Sequence, residues 1–475
     1  MTAPESAVLP RGFTVRLDPA CLRPGPRHLL GGSPMRLLTL SPAAVDLIDR
    51  AGTVTVDDAA TAGLARRLLD SGVAAPVPAA PVPAAQNGTG DITVVVPVRD
   101  DQAGVDRLLR AVRGLPVVVV DDGSAVPIRV PDDPAVRLLR LPENRGPAHA
   151  RNRGAALADT GLVAFLDADT VPRPGWADVL RARFADPTVA VAAPRIVGLE
   201  DAPWTRPVAR YAGLHSSLDL GPRPGAARPG NPVAYVPSAA MLVRRGAFEA
   251  VGGFDPDLRV AEDVDLCWRL ADAGWTVRYE PAARVGHDHR TTARALLNRR
   301  RFYGTGAAEL AHRHGPHAAP VVTSIPSALA AAGVLSGTRV GAAGAVATYA
   351  WMFARLRGRL GQVPGADAVA ARIVARAAWF GVHQGLAALL RHYWPATAAA
   401  ALLSRRVRRR VVIAAAVEPV VTWAAAVHRE PSAPHPDPVT WVVLHRLDDL
   451  AYGLGVWQGA LARRDLGALR PRITR

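Results

Sequence analysis

The stretch GLVAFLDADTVPRPGW, residues 161–176, carries an apolar run, Leu162 to Leu166, straight into Asp167-Ala168-Asp169 and then a Pro-rich turn. Side chains alternate along a strand, so carboxylates one residue apart at its end can project the same way. Two hard oxygen ligands so placed suit Mg²⁺ or Mn²⁺ carrying a diphosphate. The competing explanation of an isolated pair is a solvated acidic turn. Upstream, VVVV (117–120) runs into Asp121-Asp122-Gly123-Ser124, either a tight turn offering free amides or a cap of structural value only. ITVVVPV (92–98) runs into Arg99-Asp100. Ligands of open α/β sheets sit beyond the C-terminal ends of the strands, so these three polar ends predict one site.

The elements that must position those ends follow from the patterning. From Asp91 onward, strands and helices alternate: VDRLLRAVRG reads as a helix, VRLLRL (136–141) as a third strand, and Pro147–Ala158 as the helix feeding Leu162–Leu166. This alternation predicts an α/β fold with a parallel sheet covered on both faces. Further on, 190–198 and 233–245 read as strands and the Pro/Gly-rich segment 199–232 as a long loop of the kind that closes over a substrate. VAEDVDLCWRLADAGW (260–275) has helical spacing, with Glu262 and Asp263 at its N-terminal end and Gly274 as its stop. TVRYEP reads as a last strand that ends before GHDHR (286–290).

Four segments are expected: a small α+β module at 1–75, a Pro/Ala/Gly linker at 76–90, the α/β domain at 91–310 and a helical region at 311–475. In the module, Ser41 is a natural N-cap with Pro42 at the first helical position. Two distant cysteines, Cys21 and Cys267, exclude a disulfide framework or a cysteine metal cluster. Lysine is absent, and the net charge of +16 is carried unevenly. Residues 1–290 hold 33 Arg and 33 acidic residues, whereas 291–475 hold 24 Arg and 8 acidic residues. Between its arginines the tail is rich in Ala, Val and Leu, which favours an anionic membrane surface or an acidic protein face over nucleic acid.

Taken in order, VVPVRD, VVVVDDGS, NRGPAHARNRG, FLDAD, GGFD and EDVDLCWRL resemble the catalytic domain of glycosyltransferase family 2, across about residues 91–290. The resemblance implies a GT-A type nucleotide-diphospho-sugar transferase fold, Rossmann-like, and an inverting enzyme that uses a UDP-sugar and a divalent metal, Mg²⁺ or Mn²⁺. It places Pro97, Asp121, Asp122, Arg151, Asp167, Glu262 and Arg290 around the nucleotide sugar, with Asp121 accepting from the base edge. Asp167 and Asp169 would hold the metal, with His287 or His289 as a further ligand. Asp263 is implied as the general base; the alternative for an Asp at a helix start is a plain cap. The module at 1–75 resembles the small winged-helix peptide-binding chaperones of peptide-natural-product maturation. The whole layout resembles the subgroup of the family that glucosylates a peptide-derived redox-cofactor precursor, so a peptide-derived or other hydroxyl acceptor is expected.

NRRRFYGTG (298–306) stands where processive synthases of the family carry Q-x-x-R-W, so short or single additions are expected. Two rival functions are weighed: an enzyme of the same family acting on a lipid-linked or cell-envelope polysaccharide acceptor, and a docking protein with an inactive transferase body. Uncharged stretches at 314–338 and 340–354, shorter ones at 377–390, 392–404 and 411–427, and RRVRRR (405–410) together suggest a cytoplasmic protein on the inner face of the membrane, with one or two spans.

Overall fold

The computed structural model describes residues 8–32, 35–77, 89–199, 206–361, 363–431 and 433–474. Most of the expected linker, 78–88, lies outside the described residues. The described residues form two compact units. One lies within Met1–Arg23, Leu29–Ala202 and Ser216–His289, and the other within Pro24–His28, Pro203–His215 and Arg290–Arg475.

The N-terminal part contains β1 (Thr14–Leu17), β2 (Leu22–Gly25), β3 (His28–Gly31), β4 (Arg36–Thr39), α1 (Pro42–Asp46), β5 (Thr53–Thr55), α2 (Ala59–Asp70) and β6 (Ala74–Pro76). Strands β5, β1 and β6 form an antiparallel sheet. Ser41 caps α1 as the sequence predicts, its hydroxyl accepting from Ala44 N at 3.1 Å. Asp58 and Thr61 form a capping box at α2, with Thr61 N donating to Asp58 at 2.8 Å. Such a cap contributes about 1 kcal/mol. Leu64, Ala65, Leu68 and Leu69 of α2 bury against Val15, Leu17 and Val54. This module is clasped to the larger sheet domain by Arg66, whose two terminal nitrogens reach Asp186 at 2.7 and 3.1 Å.

The sheet domain is built from β7 (Ile92–Val98), α3 (Gln102–Ala111), β8 (Val117–Asp121), β9 (Val136–Arg140), α4 (Pro147–Ala155), β10 (Leu162–Leu166), β11 (Thr170–Pro172), α5 (Trp176–Arg181), β12 (Val189–Gly198), β13 (Gly225–Ala227), β14 (Ala240–Arg244), α7 (Arg245–Ala250), α8 (Glu262–Asp272) and β15 (Thr276–His287). Helix α6 (Pro207–Leu214) belongs to the other unit. The strand order is β11-β15-β12-β14-β10-β7-β8-β9, with β13 beside β15. Strands β10, β7, β8 and β9 are parallel, as predicted, but β14 runs antiparallel between β10 and β12, so the sheet is mixed.

Alternation along β7 and β10 covers both faces. Val94, Val96, Ala164 and Leu166 pack with Val105 and Leu108 of α3 and Leu180 of α5. On the opposite face, Phe165 meets Phe248 and Phe254 at ring-centroid distances of 5.3 and 5.2 Å. Fully burying each of these valines stabilises by roughly 1.5–3 kcal/mol. Gly154 lets α4 lie directly on the sheet, since a Cβ there would collide with Val95.

Three expectations are corrected here. The segment 199–232 is not one loop: outside 200–205, which are not described, it holds α6 and β13. Arg195 pairs twice with Asp219 at 2.8 Å, and Tyr279 donates to Gly221 O at 2.6 Å, pinning 219–221 to the sheet. The strand expected at 233–245 is only β14, because the preceding carbonyls are taken by α8: Trp268 donates to Ala234 O at 2.9 Å and Cys267 to Val236 O at 3.7 Å. The last strand runs on to His287, with Pro281, Ala282 and Ala283 as extra residues of β15 between its pairings with Pro194 and Arg195 of β12.

The other unit is helical: α9 (Ala293–His314), α10 (Ile325–Leu335), α11 (Arg339–Leu360), α12 (Ala366–Arg391), α13 (Trp394–Leu403), α14 (Arg405–Arg429) and α15 (Pro438–Arg463). Helices α9 and α15 meet backbone to backbone at Gly304, Gly455 and Gly459, where a Cβ would strike the facing helix. Tyr211, Trp441, Leu444 and Leu296 form its aromatic core. Helices α12 and α14 are long and apolar enough to cross a membrane, and their apolar stretches are mostly unburied. The run 314–338, by contrast, is divided among a short 3-10 turn, the strand Val322–Ser324 and α10, so it forms no single span.

Candidate active site

Strands β10, β7 and β8 are neighbours, so the polar ends at Asp167, Asp100 and Asp121 emerge side by side. The Val98-Asp100 end is locked to the next turn: Asp100 N donates to Ser124 Oγ at 2.9 Å, and Asp100 Oδ1 accepts from Ala125 N at 2.7 Å. Asp100 holds φ at 56°, a left-handed conformation costing about 1–2 kcal/mol for a non-glycine residue. Pro97 sits on β7 opposite Val120 and is half-buried.

The two carboxylates after β8 face inward. Asp121 is fully buried and accepts from Ser124 N at 2.8 Å, Ile128 N at 3.2 Å and Arg140 Nη1 at 2.7 Å. Burial works to raise its carboxyl, but these hydrogen bonds and the Arg140 cation outweigh it and hold it below the usual range. Asp122 accepts from the backbone amides of Arg145 and Gly146, both at 2.8 Å. Both side chains therefore shape the turn and the start of α4. Gly123, at φ 68°, has no room for a Cβ against Asn144 and Glu143.

Around the opening motif, Asp167 is fixed at its backbone by Ala239 O, which accepts from Asp167 N at 3.0 Å, and at its carbonyl by Thr170 Oγ1 at 2.7 Å. Asp169 and His287 come together because β11 pairs with β15 in the register Thr170 with His287. Asp169 Oδ2 lies 3.5 Å from His287 Nε2, and Asp288 N donates to Asp169 O at 2.9 Å. His289 follows, with its Nδ1 at 3.3 Å from that of His287. A carboxylate oxygen and an imidazole nitrogen at this spacing fit neighbouring positions on one Mn²⁺- or Mg²⁺-sized ion, whose bonds are about 2.1 Å. Arg290 is exposed and opens the helical unit.

Arg151, on α4, joins the end of β10 to α8. Its Nη2 donates to Asp167 Oδ1 at 2.6 Å and its Nη1 to Glu262 Oε1 at 2.9 Å. Only 2% of Arg151 is exposed. Burial opposes its charge, yet Asp167 and Glu262 more than restore it, so it stays a cation. Both terminal nitrogens thus donate to protein carboxylates.

Asp263 is the second residue of α8, which starts behind Ala261, whose φ of 67° is again left-handed and turns the chain sharply into the helix. Its Oδ2 accepts from Ser238 N at 3.2 Å and its Oδ1 from Val264 N at 2.8 Å. Burial, and then the neighbouring Glu262, push its carboxyl up to about 7, while the two amides and Arg151 pull the other way. A carboxylate titrating there is poised for general-base work near neutral pH. Sequence patterning did not signal Ser238, Arg140 or Asn152, whose partners are remote in the chain.

In the helical unit, Glu418, His445 and Asp449 bring three ligand atoms within 4.8 Å of one another. Arg446 already donates to both carboxylates, reaching Asp449 at 2.9 Å, so the cation they demand is part of the chain. This cluster is an internal ion network.

The mixed sheet with acidic strand ends is that of a GT-A type nucleotide-diphospho-sugar transferase, and residues 93–252 match Glycosyl transferase family 2. Over 473 residues the chain is 45% identical to the pre-mycofactocin glycosyltransferase of Mycobacterium tuberculosis, in strains CDC 1551 / Oshkosh and ATCC 25618 / H37Rv, covering 98% of both chains. With that relative matched end to end, the chain belongs to glycosyltransferase family 2 and is a transferase. It is also 29% identical over 222 residues to the succinoglycan biosynthesis protein ExoU of Rhizobium meliloti, covering 45% of this chain and 58% of that one. Among solved structures, the mannosyltransferase PcManGT of Pyrobaculum calidifontis, in complex with GDP-Man and Mn²⁺, aligns with a TM-score of 0.39 at 18% identity, covering 77% and 87%.

Proposed function

We propose that this chain is an inverting hexosyltransferase that moves glucose from UDP-glucose to a hydroxyl of the peptide-derived mycofactocin precursor, giving a β-linked product. The single observation that carries the chemistry is Asp263: a carboxyl raised to about 7, held by two amides, at the start of a helix tied through Glu262 and Arg151 to Asp167. The end-to-end similarity to the pre-mycofactocin enzyme supports the choice of acceptor.

In this proposal Asp263 takes the acceptor proton as the hydroxyl attacks the anomeric carbon from the side opposite the diphosphate. One attack without a second nucleophile inverts that carbon. Pro97, Asp121 and Asp122 form the nucleoside end, where the Asp121 and Asp122 turns hold the backbone that meets the base and ribose. Asp169, with His287 or His289 and with Asp167 behind them, would hold a divalent ion, which neutralises charge on the departing diphosphate. The module at 1–75 is proposed to dock the peptide.

The exposed apolar faces of α12 and α14, with Arg405, Arg406 and Arg408–Arg410 at the start of α14, support attachment to the cytoplasmic face of the membrane. The same faces favour, as a second reading, a lipid-linked acceptor. The two are separated by incubating purified protein with a panel of UDP-sugars and either the precursor peptide or lipid-linked saccharides, with and without EDTA. A gain of one hexose on the peptide, lost with EDTA, is expected. No mass gain on the peptide, with gain on the lipid acceptor, would replace the first reading with the second.

A further inference from the structure

Arg151 has too little contact with water to be positioned by solvation, so whatever surrounds it decides where its charge sits. Beside the carboxylates of Asp167 and Glu262, two uncharged residues bear on its placement. Asn152, next in α4, uses both ends of its amide on one residue: Nδ2 donates to Phe254 O at 2.7 Å, and Oδ1 accepts from Phe254 N at 3.0 Å. The Phe254 ring is completely buried and lies 5.4 Å from the Arg151 guanidinium carbon. That ring is itself held edge-on against Phe165 of β10 and Phe248 of α7, at 5.2 and 5.4 Å. Gly253 adopts φ 68°, and a Cβ there would come within 2.8 Å of Asn152 Oδ1, so the loop after α7 reaches α4 only without a side chain.

We propose that Asn152 and Phe254 are positioning residues for the transfer reaction: they hold the Arg151 guanidinium between Asp167 and Glu262 and thereby fix the donor end of the site against the helix carrying Asp263. The inference rests on the functional reading above, in which Asp263 is the base and Asp167 belongs to the donor end. Its physical basis is the rigidity of the chain of contacts. Phe165 lies two residues before Asp167 on β10, Phe254 spans from Phe165 to Arg151, and Arg151 spans from Asp167 to Glu262, the residue next to Asp263. A buried ion pair is not kept for stability, since apolar replacements of equal volume commonly serve as well or better. Here it spans two strand and helix ends whose relative placement sets the angle of attack, and displacements of about 1 Å at such a point cost up to about 100-fold in rate.

The test uses the full-length protein and the variants N152D, N152A and F254L, with D263N as the reference for the underlying reading. For each, kcat and donor KM are measured across pH, UDP binding by calorimetry, and folding by the thermal melt. The expected result is a kcat lower by about 10- to 100-fold, with UDP affinity within about threefold of the parent and a cooperative melt retained. The acid limb of kcat should also move to higher pH. Arg151 is the cation facing Asp263, against Glu262 and the amides of Ser238 and Val264, and a loosened Arg151 withdraws its support for the ionised base.

N152D, which keeps the acceptor oxygen but sets a carboxylate oxygen against Phe254 O where the amide donated, should lose at least as much as N152A. Variants that keep the parent kcat and acid limb overturn the proposal. So do variants that lose UDP binding and the cooperative melt together with kcat, because that is the signature of a purely structural clamp. If D263N itself retains full activity, the base assignment falls. If D263N is dead while N152A and F254L behave as the parent, only the positioning proposal falls.

Discussion

Asp169 Oδ2 lies 3.5 Å from His287 Nε2, brought there by antiparallel pairing of a three-residue strand, β11, with the far end of β15. Their separation is a property of the sheet register, so either residue can be replaced without unfolding the strands. We expect D169N and H287A each to lower transfer activity by at least about 100-fold and to weaken Mn²⁺ binding, measured by calorimetry or Mn²⁺ electron paramagnetic resonance. Full activity of D169N in the presence of EDTA would remove the metal from the mechanism.

The raised carboxyl of Asp263 predicts how both activity and stability vary with pH. As the proposed base it must be ionised, so kcat should rise through an acid limb near pH 7, and D263N should lose about 10²- to 10⁴-fold. For stability the sign is opposite. The folded carboxyl titrates above its unfolded value, so its contribution is fully present below about pH 4 and is lost as pH rises through about 7. D263N should therefore melt higher than the parent at pH 8, while the difference shrinks toward pH 5. A melt of D263N that is lower than the parent at pH 8 would contradict the burial argument.

Arg66 reaches Asp186 with two nitrogens, and the Asp186 side chain is 1% exposed. Removing the cation leaves a buried carboxylate that keeps its hydrogen bonds from Thr188 and the more distant charges of Arg244 and Arg278, so R66A should cost up to about 3 kcal/mol, visible as a lower denaturation midpoint. Burial tends to raise the Asp186 carboxyl, but Arg66 and Thr188 hold it below its ordinary value. This contribution is present above the unfolded pKa near 4 and is lost as pH falls through the lower folded value, so parent and R66A should converge in strong acid. Equal melts of parent and R66A at neutral pH would show that the clasp contributes nothing.

Gly154 presses α4 directly onto Val95 of β7. G154A should destabilise by about 1–3 kcal/mol despite the better helix propensity of alanine. Because α4 carries Arg151 and Asn152, activity should fall along with the melting temperature. A G154A protein as stable as the parent would show that α4 can lift from the sheet at no cost.

The apolar faces of α12 and α14 lead to a lipid prediction. The full-length protein should float with vesicles containing about 30% anionic lipid and remain largely bound at 0.5 M salt, since burial of apolar faces is not screened as surface charge is. Replacing Arg405, Arg406, Arg408, Arg409 and Arg410 by Gln should weaken binding to anionic vesicles more than to neutral ones. Absence from the vesicle fraction under both conditions would assign these faces to a protein partner.

Much of the sheet domain was legible because its signals are local. β7 is a buried run that the chain sees as seven consecutive residues, ITVVVPV, and Ser41 caps α1 through contacts three residues away. The acidic strand ends at Asp121 and Asp167 and the helix opening at Glu262 were equally visible, since turn chemistry and helical period are written in neighbouring residues. What could not be read is held by partners remote in sequence. The antiparallel insertion of β14 is a pairing choice, and nothing in AMLVR states its direction. The extension of β15 to His287 depends on extra residues within β15 that shift its register against β12, and it delivers the histidine to Asp169. Asp121 looked like an open acceptor, but folding surrounds it with Ser124, Ile128 and Arg140. The sequence by itself thus determined which residues are available for chemistry and which elements carry them. Tertiary structure decided which carboxylates are satisfied by the protein, which are joined through Arg151, and which one is left with a raised affinity for a proton, because burial and charge pairing exist only after distant segments meet.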